Sequence, residues 1–398
     1  MNIQTQAFIA VTAQPIPYYA DTTAIFNTLC QPNSNSLLLD SAEIGSKNSL
    51  QSLILVNAAV KITCLGHNVT FKALNKNGKQ VLKEIHPKLT ALGKVSAVNF
   101  EDEFSVQFSP LDNQLDEDSK LQSATIFDGL RVVSTLYQHS QTPIFLGGLF
   151  AYDLVANFIP MDGITLQNDG INCPDYSFYL AEHLITIDHQ NQQATLKSFC
   201  FAQEEQVNIA KTSLSIAQKL KNIDHVLSIK SASDEVKTNF DDPEFTGIVK
   251  ALKHHINIGD VFQIVPSRRF SLACPNTLAS YAQLKQNNPS PYMFYMNDED
   301  FILFGASPES ALKYAPENRQ LEIYPIAGSR PRGFDAHGNI DPELDARLEL
   351  ELRLDHKEQA EHLMLVDLAR NDIARGSQRG ACKDAELMKE ERCTHMKN

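Results

Sequence analysis

The feature that most constrains this fold is a succession of strand-length apolar segments joined by turns too short to hold a crossover. His183–Asp188 and Ala194–Phe199 flank a polar turn around Gln190 and Asn191, and strands joined so closely can pair only antiparallel. Ser36–Asp40 and Ser52–Val56 have the same strand character, and Val69–Leu74 alternates apolar with polar residues. Asn77-Gly78, just beyond it, reads as a hairpin turn. Ile144–Phe150 is an apolar strand whose two glycines signal a bulge or a close backbone approach. A helix is expected over Glu204–Lys221, and another starts at Asp242-Pro243-Glu244, with an acidic cap and a proline in its first turn, and stops at Gly259. Val261–Val265 reads as a strand and Thr277–Gln286 as a helix. Tyr292–Met296, Phe301–Phe304 and Leu321–Ile326 read as strands, and Pro342–Ile373 as one long helix. Hairpins interrupted by helices define an α+β chain with mostly antiparallel sheets flanked by helices.

Composition narrows the function classes. A formal net charge of -13 argues against a nucleic-acid partner. No apolar run approaches the ~20 residues that span a bilayer, and Met1-Asn2-Ile3-Gln4 lacks the basic start of a signal peptide. The seven cysteines are scattered and form no Cys-x-x-Cys, which suits reduced thiols in the cytoplasm better than disulfides or zinc. No G-x-G-x-x-G or Walker loop supports nucleotide binding.

Four segments carry candidate chemistry. Glu351, Asp355, Glu358 and Glu361 recur at spacings of three and four on the expected long helix. They form either a solvated acidic face or, through Glu358 and Glu361, a site for a hard divalent cation. Glu309 follows a strand in Ser307-Pro308-Glu309; it is an acid–base candidate, or the sequence simply starts a helix. Ala327-Gly328-Ser329-Arg330-Pro331-Arg332 ends a strand with a glycine, a hydroxyl and two arginines, which suits a carboxylate ligand as well as an ordinary turn. Asn288-Pro289-Ser290-Pro291-Tyr292-Met293 enters a strand rigidly, and lines a pocket for an aromatic ligand or only shapes the backbone.

These segments, in order, resemble the chorismate-utilising enzymes, most closely their anthranilate-forming branch. The resemblance rests on Gln263–Phe270, Asn288–Met293, Phe304–Glu309, Tyr324–Gly333, Asp355–His362 and Asp367–Asp372, with Leu37–Ala42 and Gly147–Leu154 before them. It implies that chorismate is aminated at C2 while its 4-hydroxyl leaves, and that pyruvate is then eliminated to give anthranilate, the first step of tryptophan synthesis. By resemblance Glu309 is the acid–base group, Gly328 and Ser329 bind chorismate, and Glu361 with Glu358 holds Mg²⁺. The metal would offset the charge problem of a dicarboxylate substrate on an acidic protein. Ser41, Pro291, Tyr292 and Met293 match a feedback site for tryptophan. Ammonia would come from glutamine through a glutaminase small subunit, component II, in a heteromeric complex, a heterotetramer. Gln263 and Ala327 stand where isochorismate-forming and aminodeoxychorismate-forming relatives carry lysines. Ammonia is therefore the expected nucleophile, with an aminodeoxychorismate synthase-like enzyme as the alternative.

The resemblance implies a division into 1–221 with the tryptophan strand, a crossing at 222–241, the first part of a chorismate domain at 242–375, and a non-family, disordered tail at 376–398. On that reading the chain lacks the segment that completes the pocket. The isolated chain is then expected to form no anthranilate, and a non-catalytic fragment that binds tryptophan or a partner is a further alternative.

Overall fold

The computed structural model describes residues 6–41, 50–112, 114–159, 161, 173–223, 235–378, 380–383 and 396–397. The chain divides into two compact units, Met1–His225 with Leu284–Asn398, and Val226–Gln283. The expected tail at 376–398 lies largely outside the described residues.

The first unit is built on one 11-stranded sheet. Its strands are β1 (Ala10–Ile16), β2 (Ser36–Asp40), β3 (Gln51–Leu65), β4 (Asn68–Ala73), β5 (Lys94–Asn99), β6 (Glu103–Gln107), β7 (Leu146–Phe150), β8 (Tyr176–Asp188) and β9 (Gln193–Cys200), with β12 (Tyr292–Asn297) and β13 (Ile302–Ser307) from later in the chain. The main path runs β1-β9-β8-β3-β2-β12-β13, and every named pairing is antiparallel. The expected hairpin is β8–β9, with His183 opposite Ser198. Helices α1 (Thr22–Cys30), α2 (Lys76–Thr90), α3 (Glu117–Gln122), α4 (Asp128–Leu136) and α5 (Gln206–Lys219) accompany this sheet. The α+β expectation therefore holds, and the core lies where β3, β4, β6 and β8 bury Ile62, Val69, Phe71, Phe104 and Tyr179 with Val81 and Ile85 of α2.

Asn77-Gly78 is not a hairpin turn. Asn75 caps α2 by accepting from the Gly78 N–H at 2.9 Å, so the pair occupies the first helical turn. Gly78 is needed there because a Cβ would collide with the Ala59 carbonyl oxygen. Asn77 then ties the helix to the sheet, donating to the Phe199 carbonyl at 2.9 Å and accepting from the Phe201 N–H at 2.6 Å. Of the bulge and the close approach that the β7 glycines signal, the close approach holds, since a Cβ on Gly148 would meet the Ser177 carbonyl oxygen of β8.

The second unit holds the two-residue pair β10 (Lys237–Thr238) and β11 (Phe270–Ser271), and α6 (Asp242–Asn257). Asp241, one residue before the expected cap, closes a capping box with Glu244. Arg268 bonds Asp242 at 2.6 Å and lies 4.8 Å from the Phe270 ring centre. The expected strand Val261–Val265 is absent. Its apolar residues meet no neighbouring strand among the described residues, and Phe262 is 90% exposed. Helix α7 (Thr277–Asn287) begins in this unit and ends in the first.

The remaining elements of the first unit are the hairpin β14 (Lys313–Ala315) with β15 (Gln320–Glu322), β16 (Arg330–Pro331) paired with β17 (Met396–Lys397), and helices α8 (Pro342–Leu354) and α9 (His356–Gly376). The strand expected over 321–326 stops at Glu322. The single long helix expected over 342–373 is two, because Asp355 has extended backbone and caps α9, accepting from the Lys357 and Glu358 N–H groups. No helix among the described residues is long and apolar enough to cross a membrane.

Candidate functional site

The turn after β15 and the start of α9 meet around one arginine. Arg330 donates to Asp355 Oδ2 at 2.8 Å and lies 3.3 Å from Glu358 Oε1. Main-chain N–H groups of α9, Glu358 first among them, hold the Asp355 carboxyl below its ordinary range, with Arg330 adding to them. Gly328 lies directly against Glu358: a Cβ there would collide with the Glu358 carboxylate. Lys357 stands 3.8 Å from both Glu358 Oε1 and Glu361 Oε2. The break at Asp355 thus separates Glu351 from the other carboxylates and sets Glu358 under the turn. Ser329 is exposed beside it.

Glycine, guanidinium and carboxylate therefore converge at the turn that the sequence read either as a carboxylate site or as an ordinary turn. The sequence put Arg330 in the candidate turn and Asp355 in the acidic row, but not their pairing. The signal for Asp355 was its place three residues before Glu358, which suits a cap as well as a helical face. Glu309 lies just past β13 with its side chain exposed. Its N–H donates to Ser307 Oγ at 3.1 Å, so the segment makes a tight turn and starts no helix. Ala327 is partly buried in the segment leading to the turn, and Gln263 is exposed in the second unit. Among the described residues no three His, Cys, Asp or Glu side chains cluster as a metal site.

The residues matched to an effector site do come together. In the β2–β12 pairing Met293 lies opposite Asp40, one residue before Ser41. Met293 is buried, Tyr292 is exposed at 37%, and Pro291 is buried at the start of β12. Beneath Ser41 lies a polar cluster that the sequence did not reveal. Asp40 accepts from Ser52 Oγ at 2.5 Å, Thr22 Oγ1 at 2.7 Å and Lys285 Nζ at 2.5 Å. Burial pushes the Asp40 carboxyl up, but the Lys285 ammonium and the hydroxyls outweigh it and hold the group below its usual range.

A second cluster pins the far end of β12. Asp298, in the β12–β13 turn, takes Lys61 Nζ at 2.8 Å and the Tyr179 hydroxyl, while Glu299 takes Lys72 at 3.0 Å. These ion pairs and the tyrosine hydrogen bond join β3, β4 and β8 to the hairpin that carries Tyr292 and leads to Glu309.

The model of the chorismate binding enzyme family matches residues 80–398. The chain belongs to this family. Within it, the chain is 95% identical over 396 residues to anthranilate synthase component 1 of Haemophilus influenzae, covering 100% of this chain and 76% of that one. It is 49% identical to the Vibrio cholerae component 1, again over 100% of this chain and 76% of that one. The fold is that of anthranilate synthase component I from Streptococcus pneumoniae, with a TM-score of 0.59 at 21% identity over 89% of this chain and 69% of that one. By family this chain is an enzyme that uses chorismate.

Proposed function

We propose that the chain acts as an anthranilate synthase large subunit, and that the Gly328–Arg330 turn takes a carboxylate of chorismate. The observation that carries this is the close approach of Gly328 to Glu358, which sets the turn and its Arg330 guanidinium beside the glutamate that would help hold the metal. Ser329 supplies a hydroxyl beside the ligand. Glu309, at the end of β13, protonates the departing 4-hydroxyl as ammonia attacks C2, and pyruvate then leaves. Gln263 and Ala327 offer no amine, which favours ammonia from a component II glutaminase and disfavours an aminodeoxychorismate-type lysine.

Glu358 and Glu361 offer the hard oxygen donors that Mg²⁺ takes, with waters and substrate oxygens completing the set. The ion would neutralise charge on the substrate carboxylate. Arg330 lies 3.3 Å from Glu358, and Lys357 stands 3.8 Å from both glutamates. Ser41 with Pro291, Tyr292 and Met293 forms an effector site where tryptophan inhibits, coupled to the chemistry through β12 and β13. Hydrogen exchange tests the assignment. Chorismate with Mg²⁺ should protect 324–333 and 355–361, and tryptophan should protect 36–41 and 291–297. Protection elsewhere, with these segments unchanged, would overturn it. A product assay on the assembled enzyme separates anthranilate from aminodeoxychorismate.

A further inference from the structure

The Asp40 cluster is assembled from four separate parts of the chain. Thr22 is in the first turn of α1, Ser52 is on β3, His189 is in the β8–β9 turn, and Lys285 is in the last turn of α7. The carboxylate divides its work. Oδ2 takes Thr22 Oγ1 and Lys285 Nζ, while Oδ1 takes Ser52 Oγ and, at 3.0 Å, the main-chain N–H of Ser41. The rotamer of Asp40 therefore sets where the Ser41 backbone lies.

Hydrogen-bond bookkeeping gives the cluster a direction. Ser52 has one hydroxyl proton, and the 2.5 Å contact with a carboxylate, which can only accept, claims it. Ser52 Oγ must then accept from His189 Nε2–H at 2.8 Å, which leaves His189 Nδ1 to accept from the Tyr18 hydroxyl at 3.2 Å. Each bond fixes the next, so removing the imidazole frees the Ser52 rotor and loosens its hold on Asp40.

We propose that Thr22, Ser52, His189 and Lys285 are positioning residues for the amino-acid effector, holding Ser41 in register with the start of β12 through Asp40. The proposal rests on the effector reading of Ser41, Pro291, Tyr292 and Met293. None of the four need touch the ligand, yet each sets the geometry of a residue that does. A buried charged hydrogen bond removed at this distance from the ligand should cost roughly tenfold in affinity.

The chain contains no tryptophan, so the emission of added tryptophan reports binding directly. Titration of the full chain should show that Ser52→Ala and His189→Phe bind tryptophan roughly tenfold more weakly than wild type, with unchanged circular dichroism. Ser52→Thr, which keeps the hydroxyl, should restore wild-type affinity. A merely structural role would lower the melting temperature and leave affinity alone. Lys285→Met strands a buried carboxylate and is expected not to fold, so the hydroxyl and imidazole variants decide the matter. Wild-type affinity in folded Ser52→Ala and His189→Phe overturns the positioning role while leaving the effector site standing. A wild-type chain that fails to bind tryptophan overturns the effector reading, and the positioning role with it.

Discussion

Glu182 offers the sharpest test of the energetics. It sits on β8 beneath α2, 8% exposed, accepting from Asn77 Nδ2 at 3.0 Å. Burial pushes its carboxyl from an ordinary 4.5 to about 7, opposed by the Asn77 amide and reinforced by Glu205. Its neighbour His183 is buried, with Nδ1 lacking a hydrogen-bond partner and 3.6 Å from Glu182 Oε1. Because the folded-state value of Glu182 lies above the unfolded one, the folded chain keeps its proton as pH rises from 4.5 while the unfolded chain gives it up. Stability is thus full below 4.5 and declines until about 7, by about 3 kcal/mol in all.

His183 runs the other way, because burial lowers its imidazole to about 4 and stability then rises with pH up to 6.5. The comparison with Glu182→Gln cancels that contribution. The amide can still accept from Asn77 and can donate towards His183, but it cannot ionise. Urea unfolding across this pH range should show Glu182→Gln gaining on wild type by about 3 kcal/mol between 4.5 and 7. A difference that stays constant with pH would refute a buried, un-ionised carboxyl.

Other perturbations have equally defined outcomes. Lys61→Met leaves Asp298 buried without its cation, and should destabilise the chain by about 3–5 kcal/mol in urea unfolding. Gly78→Ala drives a Cβ into the Ala59 carbonyl, and should cost about 1–3 kcal/mol by the same measurement. Asp355→Ala removes the α9 cap and the Arg330 partner; it should weaken chorismate binding and raise hydrogen exchange at the Lys357 and Glu358 amides.

Apolar runs and short turns exposed β2, β3, β4, β7, β8, β9, β12 and β13 in whole or part, but not β1, β5 or β6. They failed where a tertiary contact overrode the local signal. Asn77-Gly78 has the composition of a hairpin, yet the need to approach Ala59 decides its conformation. Val261–Val265 has the composition of a strand but no partner strand among the described residues. The long helix broke at Asp355 because a side chain that caps one helix cannot also continue another. Spacing left Glu358 and the Gly328 turn open and only the family resemblance linked them to one site; the structure brings the two residues into contact. The Asp40 and Asp298 clusters were not legible, since Lys285 and Asp40 are far apart in sequence and only folding makes them partners.

The most direct test of the account is a calorimetric titration of chorismate, with Mg²⁺, into wild-type chain and Gly328→Ala. A methyl at residue 328 displaces the Glu358 carboxylate from the turn without altering the sheet. The account predicts saturable binding to the wild type that Gly328→Ala abolishes while its melting transition is retained. Equal binding by both proteins would contradict it.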